Sequence, residues 1–130
     1  MTPEKLIEKA EEARLHSYSP YSGFKVGAAL LCSDGTVYTG CNIENASFTP
    51  TICAERTAIF KAVYDGRRDF VAIAIVGGKE DTKAPCPPCG VCRQVMGEFC
   101  GPDFKVYFPD GKGGIIEEPL SAILPHSFKL

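Results

Sequence analysis

Apolar positions recur at helical spacing from the start of the chain. Leu6, Ile7, Ala10 and Ala13 follow the pair Thr2 and Pro3, which suits a helix start, so a first helix is expected over roughly the first sixteen residues. Ser19 to Gly23 breaks this pattern. Phe24 to Cys32 then reads as a buried strand, turned at Ser33-Asp34-Gly35 into a second strand from Thr36 to Cys41, which makes a β-hairpin. After a polar, turn-rich stretch, Cys53 to Tyr64 carries Ala58, Ile59, Ala62 and Val63 on one face and stops at Gly66, the pattern of a second helix. Phe70 to Val76 is apolar throughout and bounded by Asp69 and Gly77-Gly78, as expected of a central strand buried on both faces. A loop containing Pro and Cys leads to a helical stretch from Cys92 to Phe99 and a strand from Phe104 to Phe108. Residues 70 to 108 thus form a βαβ unit, whose crossover should be right-handed and whose strands should be parallel. Ile115-Ile116 suits a short strand, and Pro119 to Leu124 a last helix. The pattern predicts an α/β domain over residues 1–130, three layers (α/β/α) around a five-stranded mixed sheet.

Composition narrows the function classes. At 130 residues with 45% apolar content, the chain suits one core without disulfide staples. A formal charge of -2, with Lys and Arg scattered, offers no electrostatic footprint for a nucleic-acid polymer or an acidic membrane surface. No apolar run is long enough to span a bilayer, and Thr2 to Lys5 does not begin a secretory signal, so a cytoplasmic protein is expected.

The seven cysteines change the picture most. An odd count without a signal peptide argues against a disulfide framework and for metal-bound thiolates. His16 and His126 are the only histidines and read as surface or helix-end residues, so a metal site must rest on sulfur and carboxylate. Cys53-Ala54-Glu55 opens one predicted helix and Cys89-Gly90-Val91-Cys92 another. Helix N-termini carry unpaired N–H groups and partial positive charge, which favour thiolates. Three sulfurs on Zn²⁺ leave one tetrahedral position for water, the mark of a catalytic site. Glu55 would sit beside the metal without ligating it, placed to take and return protons. Cys86 competes with this register, because Pro85 to Cys89 also fits Pro-Cys-x-x-Cys. Pro87 and Pro88 lack N–H groups, however, and would deprive a Cys86 thiolate of backbone donors. The ligand set read here is Cys53, Cys89 and Cys92, with one zinc per chain.

A Cys-x-Glu followed by Pro-Cys-x-x-Cys matches the zinc deaminase signature, with Cys in place of its first His. The chain resembles the small cytidine deaminases over nearly its full length. The resemblance is carried by Pro20-Tyr21-Ser22-Gly23-Phe24-x-Val26-Gly27-Ala28-Ala29, Cys41-Asn42-Ile43-Glu44-Asn45, Cys53-Ala54-Glu55-Arg56-Thr57-Ala58 and Pro88-Cys89-Gly90-x-Cys92-Arg93-Gln94. It implies hydrolytic deamination of cytidine and 2′-deoxycytidine to uridine and 2′-deoxyuridine plus ammonia, in pyrimidine salvage. Glu55 would pass protons to N3 and then to the departing amine. Asn42 and Glu44 would hold the ribose hydroxyls, Phe24 would pack on the pyrimidine, and the Ala54 backbone would read the base edge. Arg56 would draw electron density from a zinc thiolate and so offset the charge of three sulfurs. The resemblance also implies a homotetramer, with Phe128 lent to a neighbour's site. Phe48 stands where many relatives carry tyrosine.

Other readings fit parts of the sequence. Blasticidin S deaminases share the zinc motifs, although Asn42-Ile43-Glu44 favours ordinary nucleosides. A structural zinc module would use Cys86 as fourth ligand and leave Glu55 idle. A thiol redox protein would leave Cys53-Ala54-Glu55 unexplained. Cys32, Cys41 and Cys100 read as small core residues.

Overall fold

The computed structural model describes residues 1–79 and 82–130. Helix α1 spans Pro3–Arg14. Thr2 caps it by accepting from the Lys5 N–H (3.2 Å), and Leu6, Ala10, Ala13 and Arg14 form its buried stripe. Strands β1 (Phe24–Cys32) and β2 (Val37–Cys41) make the expected antiparallel hairpin. Helix α2 covers Ala54–Tyr64, strand β3 Phe70–Lys79, helix α3 Gly90–Phe99, strand β4 Lys105–Pro109, strand β5 Ile115–Pro119 and helix α4 Leu120–Ile123.

The sheet order is β2-β1-β3-β4-β5, with β3 and β4 parallel and every other neighbouring pair antiparallel. This is the five-stranded mixed sheet expected from the sequence. Alternation along the strands divides the core. Ala29, Ala72, Ala74 and Val76 pack with Leu6 and Ala10 of α1. Ala28, Leu30, Ile73, Ile75 and Val106 pack with Ala58, Ile59 and Met96 of α2 and α3 on the other face. Small residues set the spacing. A Cβ on Gly27 would lie 1.9 Å from the Ala10 carbonyl oxygen, and one on Gly40 would lie 2.5 Å from the Ala58 nitrogen, so α1 and α2 both rest almost directly on the sheet.

Some boundaries differ from the sequence pattern. Strand β3 continues past Val76 through Gly77 and Gly78, which stay in register with Val26 and Lys25. The third helix begins at Gly90 rather than Cys92, because Cys89 itself is the extended N-cap residue. Pro119 both closes β5 opposite Lys105 and serves as N-cap of the last helix, which is only four residues long. No helix among the described residues is long and apolar enough to cross a membrane.

Candidate active site

Two helix N-termini bring the chemistry together. Cys53 is the N-cap of α2 and Cys89 the N-cap of α3, both with extended backbone and neither using its side chain as a cap. Their sulfurs lie 3.7 Å apart. Cys92, buried in the first turn of α3, completes a cluster in which all three sulfurs lie within 4.8 Å of one another. Sulfurs held tetrahedrally about 2.3 Å from one zinc ion would sit about 3.8 Å apart, so the donor set fits that metal in kind and spacing.

Charge is uneven within the cluster. The Cys92 hydrogen bond, opposed by burial and reinforced by Arg56, lowers the Cys53 thiol to about 5. Hydrogen bonding to Cys53 together with burial drives Cys92 well above the usual thiol range. Arg56 Nη2 donates to Cys53 Sγ at 3.5 Å, while its buried Nε has no hydrogen-bond partner among the described residues. Burying an unmatched donor is unfavourable, so the guanidinium sits beside the sulfurs at an energetic cost.

Glu55 is 4% exposed. Burial, with a further contribution from the Cys53 charge, pushes its carboxyl up to about 7, where it exchanges protons readily near neutrality. Ala54, fully buried, supplies the first turn of α2, whose N–H groups have no intrahelical partner.

A cavity of about 290 Å³ opens onto this cluster. Cys53, Ala54, Glu55 and Cys89 line it together with Phe24 and Glu44. Asn42 is also part of the lining, and its amide braces β1: Oδ1 accepts from the Val26 N–H (2.9 Å) and the Ser17 hydroxyl (2.5 Å), and Nδ2 donates to the Phe24 carbonyl (2.7 Å). Glu44 accepts from the Tyr21 and Ser22 N–H groups (2.9 and 3.2 Å) and from the Ser22 hydroxyl. The hydroxyl bond is the largest cause of its lowered pKa. Glu44 is therefore an oriented carboxylate with acceptor capacity to spare. Two larger cavities, of about 420 and 500 Å³, lie at the C-terminal segment and along α2, away from the sulfur cluster.

The structure thus gathers Phe24, Asn42, Glu44, Cys53, Ala54, Glu55 and Cys89 around one cavity, with Cys92 beneath and Arg56 beside the sulfurs. Phe128 is not brought there. It is 67% exposed, lines the C-terminal cavity, and is held by Gln94 Nε2 donating to its carbonyl (3.5 Å). Cys86 stands outside the three-sulfur cluster but lines the cavity, and burial pushes its thiol up to about 12. A fourth sulfur ligand, which a closed structural site would need, is absent from the cluster among the described residues. Sequence reasoning missed Ser22, whose signal was a hydroxyl at the turn two residues before Phe24, and gave no part to Val26, Thr51, Ile52 or Pro87, which share the lining.

Comparison with known proteins agrees with this geometry. The family model for the cytidine and deoxycytidylate deaminase zinc-binding region matches residues 1–108. A cytidine deaminase of Halalkalibacterium halodurans is 56% identical over 128 residues, covering 98% of this chain and 95% of that protein. One from Sporosarcina psychrophila is 53% identical, covering 98% and 92%. The crystal structure of a cytidine deaminase from Burkholderia pseudomallei superposes with a TM-score of 0.90 at 47% identity, covering 98% of this chain and all of that one. Sulfur cluster, buried carboxyl, fold and near full-length similarity converge: the chain belongs to the zinc-binding cytidine and deoxycytidylate deaminase family.

Proposed function

We propose that this protein hydrolyses cytidine and 2′-deoxycytidine to uridine and 2′-deoxyuridine, releasing ammonia, as a cytoplasmic enzyme of pyrimidine salvage. The observation that carries the reading is a buried carboxyl, Glu55, poised near neutrality beside three converging sulfurs and facing the same cavity as an oriented carboxylate, Glu44. Curated relatives at 53–56% identity bear the name cytidine deaminase.

Cys53, Cys89 and Cys92 would hold zinc, which when bound would supply the acidity that makes water a nucleophile toward C4 of the base. Glu55 accepts one proton from the attacking water and returns it to N3 of the ring, then takes the proton left on the added hydroxyl and delivers it to the departing amine, so that the C4 carbonyl forms as ammonia leaves. A carboxyl near 7 can make each of these transfers without a large driving-force penalty. Arg56 offsets the excess negative charge of three thiolates on a divalent ion. Glu44 accepts from a ribose hydroxyl and repels a phosphate at the same place, which selects nucleosides over 3′-nucleotides and polymers. Asn42 donates its remaining amide hydrogen to the sugar, Phe24 packs on the base, and the Ala54 backbone reads the base edge.

Residues 1–130 act as one catalytic unit within a homotetramer. What supports assembly is the apolar groove along α2, where Phe60 and Tyr64 are exposed beside Tyr38 and Ile43, and the exposed Phe128 near the chain's end. Phe128 then closes a neighbour's cavity.

The test is the ultraviolet absorbance of cytidine and deoxycytidine with purified protein, alongside Glu44→Ala. Loss of the cytosine absorbance by wild type, with KM raised in the variant, is the expected result. Zinc-loaded protein that leaves both nucleosides unchanged would refute it.

A further inference from the structure

Arg14, the last residue of α1, is 5% exposed. By position alone it would be a cation complementing a helix C-terminus. Such a cation ordinarily stays in water, whereas this guanidinium is buried and donates to main-chain carbonyls remote in sequence: Nε to Lys25 (2.9 Å) and Nη2 to Thr82 (2.6 Å). A buried guanidinium needs such acceptors, and its planar fork can address two of them at once.

Both carbonyls belong to segments that build the cavity. Lys25 lies in β1 between Phe24 and Val26, which line it. Thr82 opens the stretch that runs through Cys86 and Pro87, also in the lining, to Cys89. That stretch is fastened twice more. The Ala84 N–H donates to the Gly77 carbonyl (3.1 Å), and Cys86 Sγ occupies the space above Gly77, where a Cβ would come within 2.7 Å of it and within 3.1 Å of both Phe24 and Val26. Pro85, Pro87 and Pro88 restrict the backbone between these fastenings and Cys89.

We propose that Arg14 is a positioning residue of the active site: its buried fork fixes residues 82–89 against β1, setting the width of the pocket between Phe24 and Cys86 and the placement of the Cys89 sulfur. The proposal rests on the cytidine deaminase reading for its pocket and on the sulfur cluster for its metal. It requires that losing Arg14 loosen both.

The test compares wild type with Arg14→Gln and Arg14→Lys, measuring cytidine KM and kcat per bound zinc, zinc transfer to a chelating dye, and Tm. In Arg14→Gln, KM rises by about tenfold or more, with kcat per zinc falling less. Zinc release quickens about tenfold. Arg14→Lys, keeping the charge but not the fork, falls between. If Arg14→Gln does not fold, Arg14→Lys decides alone. A lowered Tm with wild-type KM and wild-type zinc release would overturn the proposal and leave Arg14 a purely structural residue. Absence of cytidine turnover in wild type would instead strike the deaminase reading, and the zinc-release comparison would still judge Arg14.

Discussion

The cluster at the starts of α2 and α3 and the segment after α4 stand at opposite extremes. In the first, Glu55 and Cys92 are buried, and the three sulfurs come together through helix caps packed on the sheet. In the second, Phe128 is mostly exposed, and the described contacts of the tail are few. The contrast teaches that one chain can assemble the metal and proton-transfer half of the site by itself, because packing over-determines it. Phe128 lacks such packing: apart from the Gln94 contact to its carbonyl it stands mostly in solvent.

The sharpest way to break this comparison is to remove a sulfur. Cys92→Ser should lose zinc and activity together, by about a thousandfold or more in kcat/KM, while Cys86→Ser keeps zinc and most activity. Metal analysis beside initial rates checks both, and the reverse outcome would move the ligand set to Cys86. Next in size is Arg56→Ala, expected to lower kcat about tenfold, with Arg56→Gln retaining part of the rate. Equal and unimpaired rates would remove the role given to its charge. Phe128→Ala should raise the cytidine KM about tenfold with little change in zinc content. An unchanged KM would mean that the tail contributes nothing to any site, and the comparison of the two regions would lose its point.

The smallest effect lies away from both regions. Arg67 Nη2 pairs with Asp34 (2.7 Å) and Asp69 (2.9 Å), fastening the hairpin turn to the start of β3. Its hydrogen bond lowers Asp34 from 3.8 to about 2 and holds Asp69 lower still. Depressed folded-state pKa values mean that the stabilisation is full above about pH 4 and is lost as pH falls toward 2. Asp34 is exposed and Arg67 and Asp69 are half-buried at the surface, so the gain is small and screened by salt. Thermal melts of Arg67→Ala and wild type should differ slightly at pH 7 and converge toward pH 2, and a difference that grows with acid would contradict the assignment.

Much of this was legible in the sequence because residue type and spacing already carried chemistry. Cys-x-Glu and Cys-x-x-Cys at helix starts need no tertiary information to suggest a metal and a proton carrier, and the apolar run at Phe70 reads as a strand unaided. What was hidden depended on contacts distant in sequence. Gly77 and Gly78 looked like the end of β3, yet the strand continues through them, paired with Val26 and Lys25, and they are glycine where Cys86 and Thr82 occupy the space side chains would need. Cys86 looked like a rival ligand, and its place in the cavity wall follows from that same contact. Arg14 looked like an ordinary helix-end cation, whereas it donates to the remote carbonyls of Lys25 and Thr82. The Asn42 amide, expected to serve the substrate, braces β1 in the structure, a role that local sequence cannot express.

The most direct test of the central claim isolates Glu55 from the metal. Cytidine turnover and zinc per chain should be measured together on wild type and Glu55→Ala. About one zinc should be retained in each protein, with turnover confined to wild type. A Glu55→Ala protein that still deaminates cytidine at a comparable rate, with zinc bound, would contradict the account.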